Sequence, residues 1–112
     1  MKRIEAIIRP GKVDQLCTVL EKVGYHGVMI SDVEGHGRQK GAETKVRGMT
    51  QKMTFLDKKR VVLVVNDSEA DNIVKTIRQA VHSGKIGDGK IFISSIDDAI
   101  RIRTGETGES AV

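Results

Sequence analysis

The sequence predicts an α+β sandwich of ferredoxin-like topology, in which four strands and two helices follow the order β-α-β-β-α-β. Two segments place apolar residues at helical spacing, and each is preceded and followed by a β-branched segment. A continuous apolar run at 61–65 is typical of a central strand. The length of 112 residues fits one domain, so we expect residues 1–112 to form a single unit.

The first half of the chain predicts a strand, a helix and a second strand. The β-branched segment Arg3–Arg9 indicates the first strand, and Pro10-Gly11 ends it. Apolar residues recur at helical spacing from Lys12 to Val23, and Gly24 follows where a left-handed C-terminal cap is expected. Residues Gly27–Glu34 indicate the second strand.

The second half repeats this order. Lys59–Val65 predicts the third strand, and its apolar run suggests burial on both faces, by helices or by another subunit. Asn66-Asp67-Ser68 offers several N-cap residues for a helix from Glu69 to His82. Ile91–Ile96 predicts the last strand.

A long polar stretch from Gly35 to Lys59 separates the two halves. Structureless loops of about 20 residues are uncommon in small domains and are usually functional, so we expect this one to project from the body. Its base carries Gln39, whose side chain can ligate a metal, and Lys58, a mobile cation suited to a carboxylate.

Composition and charge favour a cytoplasmic protein that binds small anions. The net charge is +4, but Tyr25, Phe55 and Phe92 are scattered rather than arranged as stacking platforms, which argues against nucleic acid. No segment approaches the roughly 20 apolar residues that cross a bilayer, and the N-terminus lacks the apolar region of a signal peptide. The single cysteine, Cys17, is interpreted as a small core residue.

The run from Ser83 to Ile93 combines a glycine-rich basic turn with a strand, which is typical of a phosphate cradle. Gly84, Gly87 and Gly89 let backbone N–H groups approach an anion, and lysines 85 and 90 add positive charge. The turn is no Walker A motif, because Gly-Lys leads into Ile-Phe-Ile rather than a helix. Asp88 lies between glycines, where it is expected to fix the turn by bonding to the backbone.

Catalysis is not predicted. His26, His36 and His82 have no metal-ligand spacing with one another or with Cys17, so solvent exposure or loop packing explains them best. No nucleophile arrangement can be argued from the sequence, and we expect a protein that is not an enzyme.

Three motifs, in order and at the right spacing, give the chain a family resemblance over nearly its whole length. They are Gly35-His36-Gly37-Arg38-Gln39-Lys40-Gly41, the run Ser83 to Phe92, and Arg101-Ile102-Arg103-Thr104-Gly105-Glu106. With these motifs the sequence resembles the PII nitrogen-regulatory signal-transduction proteins. The resemblance assigns 37–55 to a flexible T-loop, 83–90 to a B-loop and 101–112 to a C-terminal loop and tail.

The resemblance implies a homotrimeric sensor that binds ATP or ADP in clefts between subunits. It implies that 2-oxoglutarate binds beside ATP through Mg²⁺ held by Gln39, with contacts to Gly41, Lys58 and Gly87. One subunit would supply most of the nucleotide contacts, and its neighbour would supply Arg101 and Arg103. The remaining nucleotide-binding positions implied by the resemblance are Ile7, Met29, Gly35, Gly37, Arg38, Gln39, Val64, Gly87, Asp88, Gly89 and Lys90.

The T-loop tip departs from the pattern of many relatives. Gln51 stands where they carry the uridylylated tyrosine, which excludes uridylylation there. Arg47 aligns with the arginine that enters the pore of ammonium channels in relatives that block them, so an ammonium transporter is a candidate partner. Two alternatives remain: a divergent adenylate sensor that does not respond to 2-oxoglutarate and controls another transporter or enzyme, and a small nucleotide hydrolase.

Overall fold

A four-stranded antiparallel sheet with two helices packed on one face forms the body of the protein. The computed structural model describes residues 1–37, 45–46, 49–50 and 54–112. The sheet order is β2-β5-β1-β6, where β1 is Lys2–Ile8, β2 is Met29–Gly37, β5 is Thr54–Val65 and β6 is Lys90–Ser95. The predicted α+β class and the order of its main strands and helices are confirmed.

Alternation along the strands separates a helix-covered inner face from an outer face. In β1 the side chains of Ile4, Ala6 and Ile8 are buried, and the residues between them are not. In the central strand β5, Val61 lies on the inner face and Val62 on the outer face, and both are buried. The prediction that this run is buried on both faces therefore holds for Val62.

Both helices arise from the predicted apolar periodicity. Helix α1 (Val13–Lys22) follows a 3₁₀ turn at Pro10–Lys12 and fully buries Leu16 and Leu20. Gly24 follows the end of this helix, and its φ of 95° is that of the predicted left-handed cap. Helix α2 (Asp67–Val81) packs five apolar side chains into the same core. The buried core residues are aliphatic, as the low aromatic content predicts.

The predicted structureless stretch from Gly35 to Lys59 is wrong at both ends. Strand β2 continues to Gly37 and β5 already begins at Thr54, and these two residues pair. Two short strands, β3 (Lys45–Val46) and β4 (Met49–Thr50), also pair with each other. The extension of β2 and β5 is held by backbone hydrogen bonds and shows no alternation of apolar and polar residues, so hydrophobic periodicity could not predict it. Residues 38–44, 47–48 and 51–53 lie outside the described residues.

The C-terminal segment is ordered beside the start of β1. The backbone N–H of Ile96 donates to Met1 O at 3.1 Å, and that of Gly108 donates to Ala99 O at 3.0 Å. A 3₁₀ helix at Gly108–Ala111 follows. Among the helices of the described ranges, none is long and apolar enough to cross a membrane.

Candidate functional site

The glycine-rich loop between α2 and β6 is organised by the carboxylate of Asp88. This carboxylate accepts hydrogen bonds from the backbone N–H groups of Ser83 and Gly84, both at 3.0 Å, and from the Ser83 hydroxyl. The Ser83 hydroxyl, followed by these backbone donors, holds the pKa of Asp88 well below its usual range. The structure thus confirms the expectation that Asp88 fixes the turn.

Arg9 ties this loop to the end of β1. Its Nη2 donates to the carbonyl oxygen of Ile86 at 2.7 Å, and its Nε lies 3.4 Å from Asp88 Oδ1. Sequence reasoning missed this residue, because an arginine between a strand and Pro10 carries no motif. Only the pairing of β1 with β6 would have placed it against the loop.

Two glycines allow the loop to approach the backbone of β1. Gly87 and Gly89 have φ values of 101° and 99°, a region that L side chains rarely adopt. A Cβ on Gly89 would lie 1.7 Å from the carbonyl oxygen of Ile7. The next residue, Lys90, begins β6 and pairs with Ile7. Glycine at position 89 is therefore a steric requirement of this fold.

Lys58 attaches the same loop to β5. Its Nζ donates to the carbonyl oxygen of Gly87 at 2.5 Å. Burial lowers the pKa of Lys58, and the neighbouring charge of Arg9 lowers it further, while Asp88 opposes this effect. Two basic side chains from adjacent strands thus hold one loop.

The predicted site residues fall into two groups at opposite ends of the sheet. We call the end where β1 finishes and β6 begins the loop end, and the opposite end the tail end. Lys90 at the loop end pairs with Ile7, whereas Val64 pairs with Arg3. Four residues along a strand correspond to about 13 Å. The loop-end group contains Ile7, Gly35, Gly37, Lys58, Gly87, Asp88, Gly89 and Lys90.

Met29, Val64 and the arginines of the C-terminal segment form the tail-end group. Arg101 is held in a tight turn, because its backbone N–H donates to Glu106 O at 2.8 Å. Its guanidinium lies 3.4 Å from the Glu106 carboxylate and donates to Ser110 O at 3.3 Å. Arg103 is exposed two residues further on. Among the described residues, the two groups are separated by about 13 Å along the strands.

A cavity of about 770 Å³ lies at the tail end. Met29 and Val64 line it, together with the turn 23–27, Asn66 and the terminal Ala111 and Val112. Tyr25 lies in this wall, and burial, followed by hydrogen bonding to and the charge of Glu69, raises the pKa of Tyr25 to about 12. The Oδ1 atom of Asn66 is buried and has no hydrogen-bond partner among the described residues.

The outer face of the sheet combines apolar side chains with an ion cluster. Glu5 is largely covered and lies 3.6 Å from both Arg3 and Arg60. Val62 and Phe92 pair with Glu5 on either side, and Phe92 is 52% exposed. No helix of the described part of the chain covers this face.

Some predicted positions cannot be compared with this geometry. Arg38, Gln39, Gly41 and Arg47 lie outside the described residues. Within residues 1–37, 45–46, 49–50 and 54–112, no group of three or more histidine, cysteine or carboxylate side chains is arranged to hold a metal ion. Basic side chains and backbone N–H groups at the loop end are instead suited to an anion.

Comparison with known proteins identifies the family. The profile of the family described as "Nitrogen regulatory protein P-II" matches residues 1–106. Nitrogen regulatory protein P-II 2 of Methanothermobacter thermautotrophicus is 46% identical over 112 residues, which are 100% of this chain and 97% of that protein. Nitrogen regulatory protein P-II of Rhizobium meliloti is also 46% identical, and the alignment covers 100% of both chains.

A solved structure agrees with these relatives. The crystal structure of Arabidopsis thaliana PII bound to citrate superimposes with a TM-score of 0.82 and 36% identity, covering 99% of this chain and 91% of that one. The profile, the relatives and the fold are concordant over almost the whole length. The chain therefore belongs to the P-II nitrogen regulatory proteins, a family of signalling regulators rather than enzymes.

Proposed function

We propose that this protein is a homotrimeric PII regulator that senses ATP, ADP and 2-oxoglutarate and controls a protein target through the loop 37–55. The observation that carries the proposal is the division of the predicted nucleotide residues between the two ends of the sheet. We infer that a nucleotide contacts both groups where the loop end of one subunit meets the tail end of another. This division supports a cleft between subunits.

The loop end suits the phosphates. Gly87 and Gly89 have no Cβ atom that would shield their backbone N–H groups, and the exposed Lys90 begins β6 beside them. These donors, with Arg38 in the preceding motif, fit the charge of a polyphosphate. We therefore expect the phosphates of a nucleoside di- or triphosphate to bind at the loop end.

The neighbouring subunit would supply the tail end, with Arg101 and Arg103. Met29 and Val64 line the tail-end cavity together with Ala111, whose neighbour Ser110 accepts a hydrogen bond from Arg101, whereas the sequence-based interpretation grouped Val64 with the phosphate-binding loop. The apolar side chains are suited to pack against a base, and the guanidinium groups are suited to bind the adjoining phosphates. We therefore assign Val64 to the subunit that contributes the arginines.

Bound Mg²⁺ would bridge the ATP phosphates and 2-oxoglutarate, and Gln39 is the side chain proposed to hold it. Lys58 would bind a carboxylate of 2-oxoglutarate, with Gly41 and Gly87 beside it. The geometry of Lys58 supports this role, because its amine already makes a short contact with the Gly87 carbonyl at the base of the loop. A bound carboxylate would compete with that carbonyl for the amine.

The outer face of the sheet supports trimer formation. It carries the apolar side chain of Phe92, which is 52% exposed, and its carboxylate, Glu5, is already paired with two arginines. Such a surface is suited to contact with further copies. Burial of this face would add to a core that lacks large aromatic residues.

The target is proposed to bind the loop 37–55. An ammonium transporter is the favoured partner, with Arg47 as the residue that contacts it. A nucleic acid is not proposed, since the basic groups described above are placed for a small anion.

Isothermal titration calorimetry tests the proposal. ATP is titrated with and without Mg²⁺ and 2-oxoglutarate, using wild-type protein, Lys90→Ala and the matched variant Lys85→Ala from the same loop. We expect Lys90→Ala to lower the affinity for ATP much more than Lys85→Ala does. We also expect 2-oxoglutarate to bind only when MgATP is present. Unchanged ATP affinity in Lys90→Ala would refute the proposed site.

One observation favours a second candidate function, a sensor of adenine nucleotides that does not respond to 2-oxoglutarate. The amine of Lys58 already donates to the carbonyl oxygen of Gly87, so a carboxylate would have to displace this hydrogen bond. The same titration separates the two functions. ATP binding without any 2-oxoglutarate binding would favour the second.

A further inference from the structure

The third motif of the sequence, Arg101 to Glu106, closes into a tight turn. The backbone N–H of Arg101 donates to Glu106 O at 2.8 Å, and that of Gly105 donates to Arg101 O at 2.7 Å. Gly105 has a φ of 75°, a conformation that suits glycine. Ile100 and Thr107 form an antiparallel bridge next to the turn. The turn therefore brings Arg101 and Glu106 next to each other.

The guanidinium group of Arg101 is held by two acceptors. Its Nη1 lies 3.4 Å from Glu106 Oε1, and its Nη2 donates to Ser110 O at 3.3 Å. The Thr104 hydroxyl donates to the same Glu106 oxygen at 2.9 Å, and the backbone N–H of Glu106 donates to Thr104 Oγ1 at 3.3 Å. Glu106 therefore restrains the guanidinium and is itself restrained by Thr104.

The same guanidinium is open to a ligand. The side chains of Arg101 and Glu106 are both 42% exposed. A guanidinium has five N–H donors in a planar fork, and Glu106 and Ser110 accept one hydrogen bond each, so the other donors stay available for phosphate oxygens. Arg103 is also exposed, but its side chain makes no ion pair with the described part of the chain. Of these two arginines, Arg101 is the one that is oriented before a ligand binds.

The pairing of Arg101 with Glu106 is expected to act on binding more than on folding. Exposed ion pairs add little to the free energy of unfolding. An arginine side chain that binds a phosphate loses rotamer freedom, and a side chain that is already held loses less. For one long side chain this difference corresponds to about two- to tenfold in affinity. A carboxylate in this position can therefore improve phosphate binding through the arginine that it holds.

We propose that Glu106 is a positioning residue, which holds the Arg101 guanidinium in the orientation that binds the phosphates of a nucleotide. Glu106 contacts no phosphate itself. The assignment rests on the proposed nucleotide-binding function, in which Arg101 is supplied by the neighbouring subunit, and adds to it the residue that orients this arginine. Thr104 supports the carboxylate through its hydroxyl.

The test compares Glu106→Gln with Glu106→Ala, because both variants lack the negative charge. Glutamine keeps an oxygen that accepts from Arg101, whereas alanine does not. We expect ATP, titrated by calorimetry, to bind Glu106→Ala about fivefold more weakly than Glu106→Gln. The same two substitutions at Glu109, an exposed carboxylate of the same segment, should give equal affinities. Thermal melting without ligand checks that each variant folds.

Variants of the two arginines show through which residue Glu106 acts. In the Arg101→Ala background, Glu106→Gln and Glu106→Ala should bind ATP equally within about twofold, whereas in the Arg103→Ala background the difference should remain. A difference that persists in Arg101→Ala, or that is lost in Arg103→Ala, would overturn the proposal. Equal affinities of Glu106→Gln and Glu106→Ala in otherwise wild-type protein would also overturn it. Absence of ATP binding by the wild type, or unchanged affinity in Arg101→Ala, would instead refute the proposed nucleotide site.

Discussion

Replacement of Gly89 by alanine should destabilise the glycine-rich loop 83–90 more than the same change at Gly84. Both glycines have positive φ, 99° and 80°, so both variants carry the strain of a left-handed L residue, about 1–2 kcal/mol. At Gly84 the nearest atom to an added Cβ is His82 Cε1, at 3.9 Å. At Gly89 the Cβ would lie 1.7 Å from Ile7 O, and the backbone must move until the contact reaches about 3.4 Å.

Overpacking of this kind adds about 1–3 kcal/mol, so we expect Gly89→Ala to lower the free energy of unfolding by about 3 kcal/mol and Gly84→Ala by about 1 kcal/mol. Urea denaturation at one fixed protomer concentration measures both, because unfolding of an oligomer depends on concentration. ATP affinity, measured by calorimetry, should fall at least tenfold in Gly89→Ala and less in Gly84→Ala. Equal losses in the two variants would refute the argument that contact with Ile7 sets the position of the loop.

Three further predictions concern the loop and the outer face. Arg9→Ala removes the contacts to Ile86 and Asp88, so its affinity for ATP, measured by calorimetry, should fall about tenfold. Arg9→Lys should recover part of this affinity. Full ATP affinity in Arg9→Ala would contradict the prediction. Because folding lowers the pKa of Asp88, its carboxylate stabilises the fold above pH 3.8, the ordinary value, and this stabilisation is lost as the pH falls below 3.8. The free energy of unfolding of Asp88→Asn, measured with urea, should therefore change less with pH below 3.8 than that of the wild-type protein. Parallel pH curves for the two proteins would exclude the linkage. Phe92→Glu places a second carboxylate opposite Glu5 on the outer face. Light scattering should then show the mass fall from that of a trimer, three times 12.3 kDa, towards that of a single chain. A trimer that persists in this variant would argue against this interface.

The sequence predicted those features that depend on local pattern. Apolar periodicity located both helices, and Gly24 marked the end of the first one. Asp88 between two glycines indicated a turn fixed by its own side chain, and the hydrogen bonds to Ser83 and Gly84 confirm it. In each case the interacting groups are close in sequence, so their chemistry can be read without the fold.

Features that depend on strand register could not be predicted. Arg9 contacts a loop 77 residues away, because β1 pairs with β6. The extension of β2 and β5 to the pair Gly37–Thr54 depends on backbone hydrogen bonds, which leave no apolar pattern. Asn66 resembles an ordinary N-cap in sequence, and only the burial of its Oδ1 atom without a partner among the described residues distinguishes it.

The position of Tyr25 has a practical consequence for spectroscopy. The chain contains one tyrosine and no tryptophan, so near-ultraviolet emission arises almost entirely from this residue. Tyr25 lies in the wall of the tail-end cavity, and its pKa of about 12 keeps the phenol protonated throughout the neutral range. A single intrinsic fluorophore therefore reports on this cavity in the unlabelled protein, and its emission can be followed in each of the variants described above.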